Sequence, residues 1–137
     1  MSRRLLLVAA AALVNGSGEV LIAQRPEGKA MAGLWEFPGG KFEPGETPEA
    51  ALVRELREEL AITVEAADLA PFTFASHTYE EFHLLMPLYL CRRWTGTIET
   101  VDVAAVRFVA PGDLHRWPMP AADKPLVDAL QQGLTLA

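Results

Sequence analysis

The chain has 137 residues and a mass of 15.0 kDa, the size of a single domain with a real core and little room for a second. Half of the residues are apolar and 22% are charged, which is a globular balance rather than a disordered one. Lys and Arg number 12 against 18 Asp and Glu, for a net charge of −6, so no broad basic field exists to hold a nucleic-acid backbone.

The chain begins with Ser2-Arg3-Arg4 and an apolar run, Leu5 to Val14. The run has the basic-then-apolar order of a short signal segment, and it is too short to span a membrane as a helix. Asn15-Gly16-Ser17-Gly18 and the apolar stretch Glu19 to Arg25 follow. Strand, Gly-rich turn and strand predict a hairpin, and the hairpin is preferred because cleavage would leave the second strand without a partner. Pro26 to Gly33 reads as a loop. Leu34 to Phe37 is short and apolar, and Pro38-Gly39-Gly40 should break it.

Thr47-Pro48 opens a helix, with Thr47 as cap and Pro48 in the first turn. Val53, Leu56 and Leu60 share one face of it. Pro71 to Tyr79, Phe82 to Trp94 and Val101 to Val109 are strand-like, with Glu80-Glu81 as a turn. Ala121 to Gly133 reads as a C-terminal helix. The sum is a single α+β domain spanning 1–137, with a mixed sheet between two helices. The lone cysteine, Cys91, cannot form an internal disulfide, and no Cys/His spacing suggests zinc. A buried, inert thiol in a reducing cytoplasm fits.

The most informative stretch is Arg54-Glu55-Leu56-Arg57-Glu58-Glu59-Leu60. Glu55, Glu58 and Glu59 stand at helical spacings that put their carboxylates on one face, roughly opposite the apolar one. Like charges so close repel, and a hard divalent cation such as Mg²⁺, Mn²⁺ or Ca²⁺ would relieve the repulsion. A solvated face with Arg54–Glu58 pairing is the plain alternative. Upstream, Gly39-Gly40-Lys41 can bring bare backbone N–H groups and an ammonium to the same place, a plausible phosphate cradle. Acids beside a phosphate cradle suggest phosphoryl chemistry.

Gly40, Glu46, Arg54-Glu55-Leu56, Glu58-Glu59, Ala61 and Ile62 have the order and spacing of the Nudix box, here residues 40–62. The resemblance departs from the family pattern at one fixed position, where Ala61 stands in place of glycine. Trp35-Glu36-Phe37-Pro38-Gly39-Gly40-Lys41 is similar to the MutT branch, the nucleoside triphosphate pyrophosphohydrolases. The resemblance implies an α/β/α sandwich and metal-dependent hydrolysis of a nucleoside diphosphate linked to another group, with Mg²⁺ or Mn²⁺. It implies metal carboxylates at Glu55, Glu58 and Glu59, a further ligand at the carbonyl of Gly39, and an ion-pairing Arg54 that holds the face in register. Glu46 would brace the loop, and Gly40 and Lys41 would meet phosphate. MutT-like enzymes can use a further glutamate, from a loop beyond the box, as base. Here the match is Asp102, about 1.5 Å shorter in reach than Glu, with Glu99 and Glu59 as rivals.

The resemblance also places Arg25 near sugar or phosphate, Phe37 near the base or in the core, and Asp123 where an Asn reads a purine. An ionised Asp only accepts hydrogen bonds, which suits the amino group of cytosine or the N–H groups of guanine and of an oxidised purine. Both 8-oxo-dGTP and cytidine triphosphates therefore stay open, and Asp123 as a helix N-cap is the structural alternative. Tyr79 reads as a strand aromatic or as a marker of dinucleoside polyphosphate hydrolases. His77 and His83 carry no ranking, and Trp94 and Trp117 read as packing residues. A small-molecule nucleotide, a monomer or homodimer, and neither nucleic acid nor membrane as partner complete the expectation. A hydrolase of another diphosphate and a non-catalytic nucleotide-sensing module are the rivals.

Overall fold

The computed structural model describes residues 3–133; Ser2, part of the signal-like run, lies outside them. Seven strands and two α-helices follow in chain order: β1 (Arg4–Leu13), β2 (Val20–Gln24), β3 (Trp35–Glu36), β4 (Gly39–Lys41), α1 (Pro48–Leu60), β5 (Leu69–Thr78), β6 (Phe82–Cys91), β7 (Ala105–Val109) and α2 (Lys124–Gly133). A four-stranded sheet runs in the order β4-β1-β6-β5, and a three-stranded sheet in the order β3-β2-β7. In the larger sheet β1 and β6 are parallel and the other pairs antiparallel.

The alternation of side chains along a strand explains why β1 is so apolar. Ala9, Ala11 and Leu13 face the cluster built with Leu52, Leu56 and Leu60 of α1. Ala10, Ala12 and Val14 face the opposite cluster, with Leu126, Val127 and Leu130 of α2. The strand is thus covered on both faces, and the mixed sheet lies between the two helices. Cys91 ends β6 fully buried, its Sγ donating to the Arg93 carbonyl at 3.1 Å, and burial pushes its thiol up from the usual range.

The expected hairpin does not form. Only one bridge, Val14 to Val20, joins the two runs. Asn15 turns the chain, its Oδ1 accepting from the N–H of Ser17 and of Glu19 at 3.1 and 2.9 Å. The strands then splay into different sheets, and β2 finds its partners in β3 and β7. The expected breaker is also a strand: Gly39–Lys41 pairs with Val8–Ala10. Only Ala105–Val109 of the run 101–109 is strand, because residues 99–102 are drawn off to close α1. The C-terminal segment begins as a 3₁₀ turn, Ala121–Asp123, before α2.

Helix α1 starts as its residues dictate. Thr47 Oγ1 accepts from the Ala50 N–H at 3.1 Å, and Pro48 occupies the first turn. It ends at Ala61, whose φ of 60° is left-handed, the conformation glycine tolerates without a Cβ penalty. Ala61→Gly is therefore expected to stabilise the protein by about 1 kcal/mol, read as a rise of roughly 3 °C in Tm. An unchanged or lower Tm would mean that the Cβ carries no strain there.

Candidate active site

Arg54 organises the acidic face of α1. Its guanidinium donates to both oxygens of Glu46 at 2.8 and 2.9 Å, to Glu55 at 2.9 Å, to Glu58 at 3.3 Å and to the Lys41 carbonyl at 3.0 Å. Glu46 also accepts from the Glu43 N–H at 2.7 Å. With the Arg54 guanidinium and that N–H on it, the Glu46 carboxyl is held down at about 2. One arginine thus ties the turn 43–46, the end of β4 and two acids of the helix together.

The glycines are required by close approach. Gly39 has a φ of 154°, and a Cβ there would collide with the backbone carbonyl of Ala9. A Cβ at Gly40 would collide with the Glu55 carboxyl. Backbone therefore lies flush against the acidic face. Gly39→Ala is expected to cost about 3 kcal/mol of stability or more, since β1 must yield. Gly40→Ala should keep the fold but displace Glu55 from Arg54, lowering kcat/KM about a hundredfold. Melting curves beside steady-state kinetics check both; a Gly40→Ala enzyme with full turnover would contradict the placement.

The last carbonyls of α1, which have no partner within the helix, are met by the loop before β7. Glu99 N–H donates to Leu60 O at 2.9 Å, and the N–H groups of Val101 and Asp102 donate to Glu59 O at 3.1 and 3.2 Å. This places Asp102, and not Glu99, in a pocket of about 150 Å³ with Glu55, Glu58, Glu59, Glu36, Gly39, Arg25 and Lys29. Lys29 Nζ lies 3.0 Å from Asp102 Oδ2. Burial pushes the Glu59 carboxyl up to about 9, with Glu55, Glu36 and Asp102 adding to the rise. Burial is the larger cause and the crowding of the acids the smaller.

As arranged, no three acidic, His or Cys side chains among the described residues close on a single point, because Arg54 holds Glu55 and Glu58. The donor set nonetheless fits a hard divalent ion. The carboxylates of Glu55, Glu58 and Glu59 border one pocket with Gly39, Glu58 is more than half exposed and, among the described residues, tied only by the 3.3 Å contact with Arg54, and oxygen donors are the type such ions take.

A second pocket of about 340 Å³ opens beside the first and shares its wall of Arg25, Glu36 and Gly39. Leu6, Val8, Phe37, Phe82, Leu84 and Met86 give it apolar sides, and Gly40 and Lys41 stand at its border. Phe37 is both core and wall. Arg25 is pinned, donating to Glu36 at 2.8 Å and to the Ala30 carbonyl at 2.6 Å. Asp123 lies in this pocket only 4% exposed. Burial, with Glu36 adding and Arg25 opposing, pushes its carboxyl up to about 8. Asp123 ends the 3₁₀ turn, its own N–H donating to Pro120 O at 3.0 Å, and stands immediately before the first residue of α2, Lys124.

Glu36, Lys29 and the pocket-lining position of Tyr79 are additions that sequence reasoning did not supply. Glu36 had a signal, since it alternates with buried Trp35 on β3. Lys29 had none, because its partner Asp102 is 73 residues away. His83 lies between Ser76 Oγ and Thr78 Oγ1, 2.7 Å from each, and borders neither pocket. Trp117 packs edge-on to Trp35 and Trp94 stacks on Phe108, as packing residues should.

Residues 9–129 match the family model of the NUDIX domain. The chain belongs to the Nudix family. It is 38% identical over 121 residues to the CTP pyrophosphohydrolase of Escherichia coli, covering 87% of each chain. It is 40% identical over 98 residues to the 8-oxo-dGTP diphosphatase of Proteus vulgaris, covering 72% of this chain and 86% of that one. A solved structure of MutT, of Aliivibrio salmonicida and Vibrio cholerae, superposes with a TM-score of 0.78 at 31% identity, covering 93% and 98% of the two chains. These relatives place the chain on the MutT-like side of the Nudix hydrolases. No helix among the described residues is long and apolar enough to cross a membrane.

Proposed function

We propose that the chain hydrolyses nucleoside and deoxynucleoside 5′-triphosphates to a monophosphate and pyrophosphate, with Mg²⁺, or Mn²⁺ in its place. The observation that carries this proposal is the shared wall between an acidic pocket and an apolar one ending in a buried carboxyl. A triphosphate bound across that wall puts its base among Phe37, Leu84 and Asp123 and its phosphates against the acids.

Glu55, Glu58, Glu59 and the Gly39 carbonyl would hold the cation. Bound there, such an ion would supply neutralisation of phosphate charge and polarisation of the reacting phosphoryl group. Arg54 and Glu46 keep the acidic face and the preceding turn in register. Gly40 admits the phosphates to the backbone, and Lys41 and Arg25 meet their charge. Asp102 takes the proton of the attacking water, and Glu59 is the alternative base; Glu99 lies outside the pocket lining.

At about 8, the Asp123 carboxyl keeps its proton at neutral pH. It then offers one donor and one acceptor side by side, as Asn does. Cytosine presents the complementary pair at N3 and its amino group. An oxidised guanine presents it at O6 and the N–H gained at position 7. Unmodified guanine offers two acceptors there, and one of them would face an acceptor of Asp123. The function that follows is sanitation of the cytoplasmic nucleotide pool, removing 8-oxo-dGTP or cytidine triphosphates and their modified forms before they reach DNA. Relatives named for each substrate support both. Values of kcat/KM for 8-oxo-dGTP, dGTP, dCTP, CTP and 5-methyl-dCTP test it. A preference of at least tenfold for the oxidised purine or for cytidine over dGTP is expected; equal rates on all five would overturn the role of Asp123.

A further inference from the structure

Asp123 sits on a turn of only three residues, Ala121–Asp123. The N–H groups at the start of such a turn have no partner within it. One of them, that of Ala122, is met from far along the chain: Tyr79 Oη accepts it at 3.2 Å. Ala122 is 1% exposed, so with the phenol in place its N–H depends on that one oxygen and not on bulk water. Tyr79 is itself held, edge-on to His77 at 4.6 Å and tilted against Phe82 at 5.2 Å between centroids. It lines the same pocket as Asp123 and Ala122. It stands just beyond the end of β5, where its backbone N–H donates to Phe82 O at 2.8 Å.

We infer that Tyr79 is a positioning residue for nucleobase discrimination: its hydroxyl anchors the turn that aims the Asp123 carboxyl into the apolar pocket. The inference rests on the proposed function above. Without the phenol oxygen, the buried Ala122 N–H must find another partner, and the turn shifts to find it. A carboxyl that recognises a base by two parallel hydrogen bonds tolerates little displacement, whereas apolar contacts with any base tolerate more. The loss should therefore fall on the preferred base and spare the others.

The test is Tyr79→Phe, which keeps the ring and its packing on His77 and Phe82. The readout is the ratio of kcat/KM for the preferred base to that for the least preferred one. This ratio does not depend on the fraction of protein that is folded. The expected result is a roughly tenfold fall in the ratio, the worth of one hydrogen bond, carried in KM with kcat held. In an Asp123→Ala background, Tyr79→Phe should change the ratio by less than about twofold, since coupled sites are not additive. An unchanged ratio in the single variant, or the same fall in both backgrounds, would overturn the inference. Wild-type protein that turns over triphosphates without base preference would overturn the base reading by Asp123 and this inference with it. Wild-type preference that survives in Tyr79→Phe would sink the inference alone.

Discussion

Glu58→Gln is expected to lower kcat by about a thousandfold, close to 4 kcal/mol of transition-state stabilisation, while Tm stays within a few degrees of the parent. Glu58 is more than half exposed, and among the described residues its side chain is tied to the framework by the 3.3 Å contact with Arg54, so removing its charge costs the fold little. The amide keeps the size of the side chain but not its charge, and is a poor ligand for a hard cation. Glu59→Gln should lose activity to a similar degree. Its carboxyl is pushed up to about 9 by burial and by the acids around it, so without a metal it keeps its proton at neutral pH; the amide matches that neutral form in size and charge and should not destabilise. Excess Mg²⁺ should rescue neither variant. Full turnover in both would show that α1 is not the reacting face.

Replacement of Asp123 gives the second large effect, in stability as well as in specificity. Its carboxyl lies at about 8 in the folded protein against 3.8 ordinarily. Between those values the folded chain holds the proton and the unfolded chain has released it, so stability falls as pH rises through that window. Asn carries no such proton. Asp123→Asn should thus gain stability relative to the parent, slightly near pH 5 and most at pH 8, on the order of 2–5 kcal/mol at the upper end, read as a higher Tm. Activity follows the same logic. At pH 7 Asn presents the same donor and acceptor and should keep the base preference within about threefold. Above pH 8 the parent becomes a carboxylate that only accepts, and its preference should fall while that of Asn holds. Asp123→Ala should lose most of the preference for the favoured base, at least about tenfold, as sites built around hydrogen bonds do. A Tm difference independent of pH would place the Asp123 carboxyl in water.

Much of the helix was legible because its signals are local. Thr47 and Pro48 mark its start, and the spacing of Glu55, Glu58 and Glu59 needs only helical geometry. The burial of β1 was legible in its unbroken apolar run. Strand partners were not, because pairing is a long-range matter. The turn at Asn15–Gly18 reverses the chain equally well whether the strands pair or diverge. Gly39-Gly40 looked like a break because glycine is rare inside strands, yet here strand β4 needs glycine so that α1 and β1 can close on it. Long-range placement also decided the weight of two parts of the site. Glu36 gains its importance from a wall it shares with Arg25 and Gly39, and Tyr79 from a bond across 43 residues to Ala122.

The most direct measurement incubates the protein with Mg²⁺ and the nucleoside triphosphates in turn and resolves the products by anion exchange. Nucleoside monophosphate and pyrophosphate in equal amounts, abolished by Glu58→Gln and by chelation of the metal, are the expected result. Nucleoside diphosphate with inorganic phosphate, or ligand binding without turnover under Mg²⁺ and Mn²⁺ alike, would contradict the assignment of the two pockets to pyrophosphohydrolysis.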